Sequence, residues 1–222
     1  MVTFNLLMSA LTIHIAHSQT VQTEPSNVPS PGTFVKPGIP IAALPISITA
    51  AGYYYFIANM YFTPTSYSNS VAIKVNSPGA VTIDLKGYSL TGPPLDYVGP
   101  PYYYLNPVGI TIESSNVTVK NGTIVGFLYS LEVGGSAYLT NIYVKSVNFT
   151  GGSYSLSLID SNDSIVSNCN FTAPFASLAR AITDEGSQTG NRYIDDTFKG
   201  YSIQIDSEAP MILNINPQTT PR

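Results

Sequence analysis

The chain has 222 residues, 44% apolar and only 10% charged, with nine Lys and Arg against thirteen Asp and Glu for a net charge of −4. That length suits one domain with a sizeable core, and no basic stripe exists to follow a phosphate backbone, which argues against a nucleic-acid partner. Cys169 stands alone, which excludes an intramolecular disulfide, no Cys/His spacing suggests zinc, and the abundance of Gly, Pro, Tyr, Asn, Ser and Thr describes a turn-rich β protein.

In chain order, MVTFNLLMSALTIHIAHS (1–18) holds a short apolar stretch ending in Ala16-His17-Ser18, the small-x-small form cut by signal peptidases. It reads as a secretory signal, although its start lacks Lys and Arg; the competing reading is a buried N-terminal strand. A secreted or cell-surface location follows. Both histidines, His14 and His17, lie inside this segment, so the mature chain would lose the central residue of Ser-His-Asp, Cys-His and His-ligated metal chemistry. No later apolar run approaches the roughly 20 residues of a membrane helix. Residues 19–45, with six prolines between 25 and 45, read as an extended arm.

Strand signals begin in PISITAAGYYYFIANMYF (45–62), rich in β-branched and aromatic residues. Further on, one pattern returns. Taking Val119 as the inward position of NVTVKNGTIVGF places Val144, Val166 and Ile194 in the same column, with Ile124, Phe149, Phe171 and Phe198 in a second. The second column follows the first by five residues in three copies and by four in the last. A third column, three residues ahead of the first, holds Asn116, Asn141, Asp163 and Asn191, types that accept left-handed turn geometry. An upstream copy, AVTIDLKGYSLTG (80–92), puts Ile83 and Leu90 in the apolar columns, and MILNIN (211–216) is a partial closing copy. Ahead of each copy lies another alternating piece: GITIES, YSLEVG, YSLSLID, ARAITDE and YSIQID. A period of 22 to 28 residues without helical segments indicates a β-solenoid, in which stacking supplies the partner that one repeat lacks.

The pairing of AVTIDLKGYSLTG with GITIESSNVTVKNGTIVGF resembles secreted right-handed parallel β-helix repeat proteins of the pectate-lyase-like superfamily, and ISITAAGYYYFIANMYF resembles their N-terminal capping segment. The resemblance covers residues 46 to 216. It implies an all-β right-handed parallel β-helix of five or six coils over 46–218, with 219–222 as a tail. The scaffold hosts lyases, hydrolases and non-catalytic surface proteins alike, so it leaves function open. Polygalacturonase-like relatives would bring Asp-Asp, Gly-His-Gly and Arg-x-Lys motifs. The one Asp-Asp pair here, Asp195-Asp196, reads as a strand edge facing water, and the other motifs are missing, so no catalytic residues are carried over.

Several constellations are weighed on their own chemistry. The alternating pieces contribute Glu113, Glu132, Asp160, Asp184, Glu185 and Asp206; on one flank these acids could hold Ca²⁺, with Glu113, Asp160 and Asp206 as the ligand candidates, or act as solubilising charges. No other cofactor is expected. Arg180, Asp184, Glu185 and Arg192 could form a polar cleft for a uronic acid and are the catalytic candidates, or neutralise one another at the surface. The insertion 92–107 carries Tyr97, Tyr102, Tyr103 and Tyr104, either a sugar-stacking surface or a lid over the core. Five sequons stand at Asn116, Asn121, Asn148, Asn162 and Asn170. The expected function is a non-catalytic, polysaccharide-binding surface protein. The alternatives are a lyase or hydrolase acting on a uronic-acid polymer, and an adhesive module that self-associates through its open C-terminal end.

Overall fold

The computed structural model describes residues 37–64, 70–93, 107–135, 138–173, 180–186 and 189–201, and the backbone of 203–207 and 212–214. Among them the regular structure is all strand. In chain order the first strands are β1 (Ile39–Ile41), β2 (Ile46–Ile48), β3 (Gly52–Phe56), β4 (Met60–Tyr61), β5 (Val71–Val75), β6 (Val81–Asp84) and β7 (Ser89–Thr91). Next come β8 (Val108–Ile112), β9 (Val117–Val125), β10 (Tyr129–Val133), β11 (Leu139–Thr140), β12 (Ile142–Thr150), β13 (Tyr154–Ile159) and β14 (Ser161–Asn162). The last are β15 (Ile165–Ser167), β16 (Asn170–Thr172), β17 (Arg180–Glu185), β18 (Arg192–Ile194), β19 (Thr197–Lys199), β20 (Ile203–Ser207) and β21 (Ile212–Asn214).

All of these strands but β11 and β14, which pair with each other in a small sheet of their own, fall into two large sheets. A twelve-stranded sheet runs β1-β3-β6-β9-β12-β15-β18-β21, with β4-β7 joining β9 and β16-β19 joining β12; a seven-stranded sheet runs β2-β5-β8-β10-β13-β17-β20. Every pairing between described strands is parallel. Parallel neighbours reached through a crossover to another sheet, repeat after repeat, are compatible with a parallel β-solenoid. The ladder starts earlier than expected. Ile39–Ile41, in the stretch read as an arm, pairs with Tyr54–Phe56, and Ile41 is fully buried. The Pro-rich composition concealed it, because an edge strand tolerates a proline such as Pro40.

The inward columns assemble as expected in all repeats but the last. Ile83, Val119, Val144 and Val166 are successive register partners, as are Leu90, Ile124, Phe149, Phe171 and Phe198. The Phe149 and Phe171 rings stack at 4.9 Å and 6°. Asn116, Asn141 and Asp163 adopt φ of 61°, 59° and 52° at the predicted turn. In the final repeat the frame slips by one residue. Val166 pairs with Tyr193, not Ile194, and Tyr193 is fully buried. Gly190, at φ 81°, takes the turn position expected of Asn191, where a Cβ would lie 2.3 Å from Asp163 Oδ1. With this frame the second column stands five residues after the first in all four copies from Val119 onward, so the odd spacing of four in the sequence register marked the slip.

Candidate functional site

Two of the polar groups among the described residues include the residues singled out from the sequence, and they face opposite ways. The first is interior. Asp184 continues the inward column of Val133 and Leu158, so it points away from solvent and is 2% exposed. The Tyr193 hydroxyl donates to its Oδ2 at 2.6 Å and the Asn191 amide to its Oδ1 at 3.1 Å. Burial pushes the Asp184 carboxyl above its ordinary range, and the two donors oppose that shift. Asn191, released from the turn by Gly190, also accepts the Ser164 N–H at 2.9 Å and donates to the Ser161 carbonyl.

Asp196 is interior as well, which corrects the expectation that Asp195-Asp196 faces water: Asp195 is exposed at φ 54°, and the backbone then turns Asp196 inward. It is fully buried and accepts the Cys169 N–H at 2.7 Å, while its Oδ2 has no partner. Burial pushes the carboxyl up to about 7. The Cys169 thiol beside it is pushed up to about 12, chiefly by burial, so it stays protonated and inert. This interior set is closed to solvent; it is structural polar packing, not a place for a substrate.

The second group lies on the outward side of the seven-stranded sheet. Tyr129, Tyr154 and Arg180 are register partners on β10, β13 and β17. The tyrosine rings stack at 4.7 Å with 8° between planes, and the guanidinium lies 5.9 Å over the Tyr154 ring. Arg180 Nη1 stands 3.8 Å from Glu185 Oε1 at the exposed end of the same strand. A neighbouring outward column runs Lys74, Thr111, Glu132, Ser157, Thr183. The Thr111 and Thr183 hydroxyls are buried without a hydrogen-bond partner. Burial, then the charge of Glu113, raises the Glu132 carboxyl, and Glu113 is itself held at 2.7 Å by Lys74. Burial also raises the Tyr129 phenol, followed by Tyr154, Glu132 and Glu185. Aromatic rings, a guanidinium and a half-buried carboxyl thus share one face, whereas the threonine hydroxyls are buried beneath it; the rings and the guanidinium are groups suited to a polyhydroxyl ligand.

The sequence-derived sets are divided by this arrangement. Arg180 and Glu185 stay together, whereas Arg192 sits on β18 of the other sheet and Asp184 points inward, so the four do not form one cleft. Glu113, Asp160 and Asp206 occupy three different registers: Asp206 pairs with Thr183, Glu113 follows the end of β8, and Asp160 follows β13 at φ 51°. Among the described residues no group of three His, Cys, Asp or Glu is placed to hold a metal. Tyr97, Tyr102, Tyr103 and Tyr104 lie outside the described residues. The residues missed were Tyr129 and Tyr154, and the signal was present: YSLEVG and YSLSLID open with the same Tyr-Ser at the same register. No family model matches the chain, nor does any curated protein or solved structure.

Proposed function

We propose that the chain is a secreted right-handed parallel β-helix of five or six coils, of pectate-lyase-like form, that binds polysaccharide at the cell surface without transforming it. The observation that carries this reading is the outward Tyr129–Tyr154–Arg180 ladder. Stacked phenols hold one another rigid, so little side-chain entropy is lost when a sugar chain lies along them. Arg180 offers a planar fork for the carboxylate of a uronic acid. The test is retention on immobilised polygalacturonate. Tyr129→Ala with Tyr154→Ala should weaken retention about tenfold or more while the thermal melt stays cooperative; unchanged retention removes the reading.

A second reading, hydrolysis of a uronic-acid polymer, is favoured by one feature. Glu132 is a carboxyl raised by burial beside the ion-paired Glu113, the division of labour that an acid and its partner carboxylate need. Here Glu132→Gln should abolish release of reducing ends from polygalacturonate while retention persists. A wild-type protein that releases none leaves only the binding reading.

A further inference from the structure

A second surface lies on the strand path β7-β9-β12-β16-β19. Its inward positions are Leu90, Ile124, Phe149, Phe171 and Phe198, so period-two alternation turns the flanking residues outward. One outward column is Ser89, Thr123, Asn148, Asn170 and Thr197; the other is Thr91, Val125, Thr150, Thr172 and Lys199. Five strands at about 4.8 Å make a strip about 19 Å long, with the two columns roughly 6.7 Å apart. Lys199 is the one charged residue in it. Tyr61, register partner of Thr91 and 73% exposed, extends the second column by one place.

The side chains of the first column are bonded to one another. Asn170 Nδ2 donates to Asn148 Oδ1 at 2.7 Å, and the Thr197 hydroxyl donates to Asn170 Oδ1. These bonds orient the amides and leave the Asn148 Nδ2 donors and the Thr123, Thr150 and Thr172 hydroxyls unengaged among the described residues. The strip therefore presents donors and acceptors at a fixed pitch, already ordered. A matching partner must itself repeat, must both donate and accept, and must carry no charge. A polyanion would lose hydration from its carboxylates and find only the single Lys199 ammonium as a counter-charge along the whole strip. A flat exposed ring at the end of the column suits the apolar face of a sugar.

We propose that this strip is a second carbohydrate site, which takes an extended uncharged polysaccharide laid along the ladder with a sugar ring on Tyr61. It shares no residue with the Tyr129–Tyr154–Arg180 face, so either site can fail alone.

The test is depletion of the full chain onto insoluble cellulose, chitin and mannan, at low and high salt, with protein whose mass shows no glycan at the Asn148 and Asn170 sequons. The expected result is retention on at least one of them, insensitive to salt. Asn148→Asp with Asn170→Asp, and separately Tyr61→Ala, should weaken it about tenfold or more, while Tyr138→Ala, at an exposed ring outside both faces, leaves it unchanged. Should the aspartate variant lose its cooperative melt, Thr150→Gln, which breaks the flat column without adding charge, gives the same reading. Retention on none of the three polymers, loss at high salt, or folded strip variants that bind as wild type would overturn the proposal.

Discussion

Inside the middle repeats Val133, Val144 and Val147 belong to the hydrophobic core; in the last repeat the corresponding positions hold Asp184, Tyr193 and Asp196. Same backbone path, opposite chemistry. The difference shows that this scaffold requires each inward group to be matched by its neighbours, and does not require it to be apolar. Asp184, Asn191 and Tyr193 satisfy one another across two strands and a turn, whereas Asp196 is matched at one oxygen only. Packing dominates the middle, and hydrogen-bond completeness dominates the end.

Substitutions sharpen this contrast. The largest effect is expected in the middle: Phe149→Ala removes a fully buried ring stacked on Phe171 and should cost about 3–5 kcal/mol in urea unfolding. A cost below 1 kcal/mol would mean that the stack is not where stability resides.

At the end, Asp196 makes stability depend on pH. Its folded-state value, about 7, lies above the ordinary 3.8, so between those values the native state keeps a proton that the unfolded chain has lost. Stability is therefore fully present below about 4, falls as pH rises towards about 7 and is level beyond, with a steepest slope of roughly 1.4 kcal/mol per pH unit. Asp196→Asn, which keeps the acceptor for the Cys169 N–H, should lessen that fall; parallel pH profiles for variant and wild type would sink the assignment.

Next in size is Tyr193→Phe, which leaves Asp184 Oδ2 buried without its donor and should cost about 1–3 kcal/mol. Adding Asp184→Leu should recover part of the loss, because the restored column again matches Leu158. Additive losses would show that the pair acts separately. The smallest effect belongs outside: Tyr154→Ala should lower the unfolding free energy by about 1 kcal/mol or less in urea unfolding, and a larger loss would mean that the ring serves packing.

Much of the winding was legible beforehand. Val119, Val144 and Val166, the Phe column, and the turns at Asn116, Asn141 and Asp163 each announce themselves through one residue type at one spacing. The last repeat was not legible in the same way. Hydrophobicity favours Ile194 over Tyr193 as the inward residue, and only the even spacing of five to Phe198 points to the tyrosine. The two outward faces were half visible: the repeated Tyr-Ser and the Asn-Phe-Thr triplets stand in the sequence, but their alignment across strands requires the register.

Periodicity and turn chemistry are local properties, so the amino-acid sequence by itself determined an all-strand chain with a repeating inward stripe and left-handed corners at Asn, Asp and Gly. Which way Asp184 and Asp196 point, and which side chains meet as ladders, was decided by tertiary structure alone. A carboxyl can turn inward only where partners such as Tyr193, Asn191 or the Cys169 N–H wait for it, and those partners arrive from other strands of the fold.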